Sequence, residues 1–174
     1  MGSANGSDVL HVRVVSRRLV KASDSSIKPH VLAVSNLDLI PQSMPVSMFC
    51  IYPRPPTGDF TTIVAAFEAG LPSLLKTTSS PSPGAELLVG EASAALASLD
   101  YATVTASVRR VQQPYADDVA LSVQLVSFAC GGFAVAWCTN HVLVDGKALS
   151  LLVSAWSEIA RTGALAAGAR PNHH

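Results

Sequence analysis

His141 and Asp145 stand four residues apart in the run NHVLVDG, from Asn140 to Gly146. Histidine is the side chain whose ordinary pKa, about 6.5, lets it accept and return a proton near neutrality. Placed beside a hydroxyl or an amine, it is a general base. The residues before the pair read as a strand and those after it as a helix. Such a junction sits at the edge of a sheet and faces open space, where catalytic groups are often found. Asp145, just before the helix, can cap its first turn and so fix the loop that aims the imidazole. Spacing leaves a second reading open: His141 as a polar strand-end residue, and Asp145 as an N-cap with no other duty. A chain of this composition meets an HxxxD pair by chance roughly one time in seven, so the pair does not decide between them.

The elements around the pair are legible from periodicity. Val9 to Val20 is rich in β-branched residues and predicts an early strand. Pro29 to Ile40 is an apolar run ending in a polar turn, and Val46 to Tyr52 is another strand. Pro53, Pro55, Pro56 and Gly58 then break regular structure. Asp59 reads as an N-cap. Phe60, Ile63, Val64, Phe67, Leu71, Leu74 and Leu75 follow on one helical stripe, which Pro72 is expected to split into a helix and a final turn.

Lys76 to Gly84 is a Ser/Thr/Pro/Gly loop. Ala85 to Val89 predicts a short strand, Glu91 to Leu99 an Ala-rich helical segment, and Tyr101 to Gln113 is ambiguous. Val119 to Ala129 alternates apolar and polar residues, Cys130-Gly131-Gly132 is a turn, and Phe133 to Thr139 is the returning strand of a hairpin. Leu149, Leu152, Val153, Trp156, Ile159 and Ala160 form the stripe of the last helix, with Gly163 at its C-cap. Ala164 to His174 reads as a frayed tail. A hairpin, with strands and helices interleaved but no βαβ repeat, predicts an α+β or mixed-sheet α/β sandwich, not a Rossmann fold. No GxGxxG, P-loop, HExxH or GxSxG sequence occurs.

Composition narrows the function classes. The 174 residues are 49% hydrophobic and 14% charged, which suits one packed domain and excludes dominant disorder. Twelve basic residues balance twelve acidic ones. That removes the footprint of a nucleic-acid binder and of an anionic-membrane binder. The longest clean apolar run, Phe133 to Cys138, is far below the roughly 18 residues of a spanning helix. The N-terminus has no basic or apolar signal region, and the odd set of Cys50, Cys130 and Cys138 lies in apolar stretches. Together these predict reduced, buried cysteines and a cytoplasmic location. Cys130 and Cys138 match no zinc spacing, so no metal is expected. The mean hydropathy of +0.36 with so little charge suits a buried piece of something larger.

The strand–NHVLVDG–helix arrangement, with FACGGF on the hairpin before it, resembles the N-terminal half of the BAHD acyltransferases. LVKAS at Leu19–Ser23, SNLDL at Ser35–Leu39, the strand ending in IYP and the helix AFEAGLPSLL are similar as well. The resemblance runs in order from about Val9 to Pro171. It implies one domain of the two-domain chloramphenicol-acetyltransferase-like fold, and transfer of an acyl group from a coenzyme A thioester to a hydroxyl or amine. It implies that His141 is the general base, that Asp145 points away from substrate and holds the loop, and that Gly146 allows the tight turn. Acyl-CoA is then a co-substrate; no permanently bound cofactor, metal or covalent acyl-enzyme is implied.

Two departures shape the expectation for this chain. The family's Phe/Tyr-Pro-Leu-Ala-Gly-Arg segment is missing after Leu75, so residues 76–84 stand at an apparent deletion. The second domain, with its Asp-Phe-Gly-Trp-Gly motif and most of the coenzyme A contacts, is also absent. The chain is therefore expected to be a single acyltransferase-type domain over residues 1–174. It is either an acyltransferase or a non-catalytic fragment or binding remnant of one, inactive without a second domain. An exposed apolar face favouring association is expected where that domain would sit.

Overall fold

A computed structural model describes residues 10–21, 44–75, 84–101, 106–111, 119, 121–141 and 146–163. Its elements in chain order are β1 (Val12–Val20), β2 (Pro45–Tyr52), α1 (Phe60–Leu75), β3 (Ala85–Ala92), a single 3-10 turn (Leu96–Ser98), α2 (Ala106–Val111), β4 (Leu121–Phe128), β5 (Phe133–Asn140) and α3 (Gly146–Thr162). The five strands form one mixed sheet in the order β1-β3-β4-β5-β2. Only β3 and β4 run parallel; the other neighbours are antiparallel. The mixed α/β class expected from the sequence is the class observed.

Helices α1 and α3 lie on one face of the sheet. The core between them holds Phe67, Leu71, Leu74, Val123, Leu125, Val135, Trp137, Leu149 and Trp156. A smaller core on the other face gathers Leu10, Val111, Val126, Phe128, Ala134 and Ala136. The three inner strands are therefore covered on both sides. Ser122 and Gln124, the polar residues of the alternation in β4, are fully buried as well. Gln124 is accommodated because its Nε2 donates to the main-chain carbonyls of Arg110 and Val111 at 3.2 and 2.9 Å. A buried amide without such acceptors would be costly.

Pro72 does not split α1, which runs unbroken to Leu75. A proline inside a helix removes one hydrogen bond and crowds the preceding turn, at about 3 kcal/mol. Leu71, Leu74 and Leu75 flank it in the core, each at 5% exposure or less, and their burial offsets that cost. Glu91 and Ala92 extend β3 instead of starting a helix, and only Leu96–Ser98 of the Ala-rich segment turns helically. Pairing with Arg13 and Val12 of β1 overrides local propensity there. Within the ambiguous stretch, Tyr101 lies in a turn and Ala106–Val111 form α2. The apolar run Pro29–Ile40, the loop 76–83 and the tail 164–174 lie outside the described residues.

The two edges of the sheet are β1 and β2. Val14, Val15 and Leu19 are exposed on β1, and Met44 and Ile51 at β2. Cross-strand ion pairs Arg13–Glu91 and Arg17–Glu86, with Arg18–Glu68 to α1, tie β1 to its neighbours. Among the described residues no helix is long and apolar enough to cross a membrane.

Candidate active site

β5 is the strand that delivers His141. It lies between β4 and β2, paired along nearly its whole length on both sides. It starts from a tight turn whose geometry needs glycine. Gly131 has φ +80°, in the left-handed region, and its N–H donates to the Phe128 carbonyl at 2.8 Å. The Gly132 carbonyl accepts from the Phe128 N–H at 2.9 Å. A Cβ at Gly132 would stand 2.4 Å from Leu96 Cδ1 and 2.9 Å from the Tyr52 carbonyl oxygen.

His141 is the first residue past β5. Its main-chain N–H donates to the Met44 carbonyl at 2.9 Å, extending the β2–β5 ladder one step beyond the paired strands. The residue is half-buried, neither sealed in the core nor on a helix. This is the strand-end position expected for it. Residues 142–145, and so Asp145, lie outside the described residues. Gly146 is the first residue of α3, as the motif's place at a helix entrance requires.

The frame beneath the junction is stiff. Leu149, Leu152, Val153, Trp156 and Ile159 of α3 are buried. Trp156 packs edge-on to Phe67 at 5.0 Å and to Trp137 at 6.3 Å between ring centroids. Gly163 ends the helix at φ +79°, its N–H donating to the Ile159 carbonyl at 2.7 Å. The Met44 contribution was not legible in the sequence. It is made by a main-chain carbonyl nearly a hundred residues away, which no side-chain pattern encodes.

The cysteines do not all follow expectation. All three are free thiols; Cys138 is buried and Cys50 half-buried, but Cys130 is exposed. It sits on the hairpin turn, where the flanking apolar residues belong to the strands. The Leu96 and Gly132 N–H groups point at its sulfur and hold its pKa below the usual thiol value. Among the described residues no group of three or more potential ligands could hold a metal ion.

Comparison with known proteins gives these observations a context. A family model described as "Transferase family" matches residues 85–171, half of the chain. Putrescine hydroxycinnamoyltransferase 3 of Oryza sativa subsp. japonica is 30% identical over 190 aligned residues, covering 95% of this chain and 42% of that protein. A second rice protein, putrescine hydroxycinnamoyltransferase, is 30% identical over 193, covering 95% and 41%. Acylsugar acyltransferase 3 of Solanum lycopersicum is 49% identical over 41 residues, 24% of this chain and 10% of that one. The crystal structure of vinorine synthase matches with a TM-score of 0.75 at 20% identity, covering 93% of this chain and 45% of that chain. The fold is therefore shared with it. The chain spans about two fifths of the length of the rice relatives it matches.

Proposed function

Because the chain belongs to the BAHD transferase family, we propose that it carries the proton-accepting half of an acyl-CoA-dependent acyltransferase, with His141 as the base. The observation that carries this reading is the position of His141. It is half-buried at the exit of a fully paired strand, with its backbone tied to Met44 and a helix entering five residues later. Such a support fixes the root of the imidazole, the orientation a general base needs.

In the proposed reaction, His141 takes the proton of an acceptor hydroxyl or amine as that oxygen or nitrogen attacks the thioester carbonyl carbon. The new C–O or C–N bond forms, the C–S bond breaks, and the coenzyme A thiolate leaves and is protonated from the imidazolium. General-base help of this kind is worth about 10² to 10⁴ in rate. Asp145 holds the loop and does not touch substrate, and Gly146 shapes the turn. The printed names of the relatives cover a diamine and a sugar as acceptors, so both amine and hydroxyl acceptors belong in the proposal. Acyl-CoA and acceptor are the small-molecule partners of this reaction, with reduced cysteines suiting a cytoplasmic location.

A second reading rests on the share of the relatives' length that the chain spans. In it, the 174 residues are a non-catalytic fragment that regains activity only with a second domain. One experiment separates the two. Acyl transfer to putrescine and to an alcohol is measured for the chain alone and mixed with the C-terminal half of a rice relative, each with and without His141→Ala. Turnover that falls 10²-fold or more on removing the imidazole supports the base; turnover only in the mixture supports the fragment reading. Full turnover with His141→Ala would refute the base.

A further inference from the structure

At the end of β5 remote from His141, the chain holds a cavity of about 640 Å³ between α1, α3 and the residues following β2. Eight strand residues separate the two ends, on the order of 25 Å. The cavity thus lies apart from His141, and stands independently of the acyl-transfer reading.

Its wall is aromatic. Tyr52 and Phe133, paired across β2 and β5, stack at 4.7 Å with an angle of 10° between their rings. Phe67 and Ile63 of α1 add to the same lining. Burial and the weaker pull of Ser157 leave the Tyr52 phenol with a raised pKa, so it is neutral at physiological pH and adds no charge.

Among the described residues, the charged groups of the lining are Arg54, Glu158 and Arg161. None of the three enters an ion pair with a described residue. Among these described groups, two guanidiniums stand against one carboxylate, an excess of one positive charge. Arg54 is also held in place. Its Cγ and Cδ lie against Gly131, 3.3 and 3.1 Å from where a Cβ would stand there. Arg161 lies in the last turn of α3, where it also offsets the negative end of the helix dipole. That leaves Arg54 as the leading partner for an anion.

We propose that this cavity is a binding site for a small aromatic monocarboxylate, its ring against Tyr52, Phe133 and Phe67 and its carboxylate on Arg54, with Arg161 assisting. The volume falls within the range of small-molecule sites. Aromatic walls favour a flat apolar body, and a guanidinium fork matches a carboxylate in two parallel hydrogen bonds.

The test uses the 174-residue chain and two isosteric probes, 2-naphthoate and naphthalene-2-carboxamide, titrated by calorimetry and followed by ligand-observed NMR. The expected result is naphthoate binding at least tenfold tighter than the carboxamide. Arg54→Gln should remove that preference, and Arg161→Gln should reduce it. Both side chains are exposed, so neither change disturbs the core. Equal binding of the two probes, a preference that survives both substitutions, or no naphthoate binding at millimolar concentration would each overturn the proposal.

Discussion

The indole Nε1 of Trp156, in α3, donates a 2.8 Å hydrogen bond to the main-chain carbonyl of Phe67, in α1. Both partners are buried, and their rings meet edge to face. Three residues along α1, Gly70 lets α3 approach. A Cβ there would stand 2.7 Å from Ile159 Cγ2. One bond and one missing side chain thus set the spacing of the two helices that cover the sheet behind His141. Trp156→Ala should cost about 3–5 kcal/mol through the cavity it leaves. Trp156→Phe keeps most of the packing and loses the bond, so it should cost less. Gly70→Ala should cost about 1–3 kcal/mol, because Ile159 must shift in a packed interface. Urea unfolding followed by circular dichroism measures all three. A neutral Trp156→Ala would mean the helices are held otherwise.

Asp59 caps α1 in the described geometry: its Oδ1 accepts from the Thr62 N–H at 2.8 Å and from the Thr62 hydroxyl at 2.9 Å. These bonds favour the carboxylate and place its pKa below the ordinary 3.8. The group binds fewer protons folded than unfolded, so its stabilisation is fully present above pH 3.8. It fades as the pH falls through the lower, folded-state value. Asp59→Asn keeps an acceptor and loses the titration. The difference in stability between wild type and Asp59→Asn should therefore change only in acid. A pH-independent difference down to pH 2 would contradict the cap.

The hairpin turn is the other place where one atom matters. Gly132→Ala should cost about 1–3 kcal/mol, since the added carbon meets Leu96 and the Tyr52 carbonyl, and that carbonyl cannot rotate away. Because β5 runs from this turn to His141, the same change should also raise the thermal sensitivity of any acyl transfer. A thermal melt of Gly132→Ala matching wild type would show that the turn relaxes freely.

Much of this frame could be read from residue order. The stripe from Phe60 to Leu75, the FACGGF hairpin and the stripe from Leu149 to Ile159 each repeat a period that only one element satisfies. Legibility failed where tertiary contacts outvote local preference. Pro72 stays helical because three leucines are anchored around it, and Glu91 is a strand residue because β1 pairs with it. The alternation around Gln124 carries no sign of the α2 carbonyls that satisfy its buried amide. At the site itself, the motif located His141 at a strand end, while its tie to Met44 depended on which strand became the neighbour of β5. Arg54 was hidden among breaker prolines, where periodicity carries no signal.

The three thiols should separate by environment. Cys130 is exposed, and the Leu96 N–H, 3.5 Å from its sulfur, together with the Gly132 N–H favours the thiolate. Cys138 is buried in β5 and accepts from the Ser47 hydroxyl at 3.1 Å. The thiolate is the nucleophile, so reactivity follows both access and thiolate fraction. Near pH 7.5, below the ordinary thiol pKa of 9.0, iodoacetamide should alkylate Cys130 in a fast phase. Cys50, half-buried, should follow more slowly, and Cys138 should react only as fast as the sheet opens. Cys130→Ser should remove the fast phase and leave the slow ones unchanged. Mass spectrometry of peptides taken at successive times assigns each phase. A fast phase that survives Cys130→Ser would mean that Cys130 is not the reactive thiol, and early label on Cys138 would mean that β5 is not the closed inner strand on which the position of His141 depends.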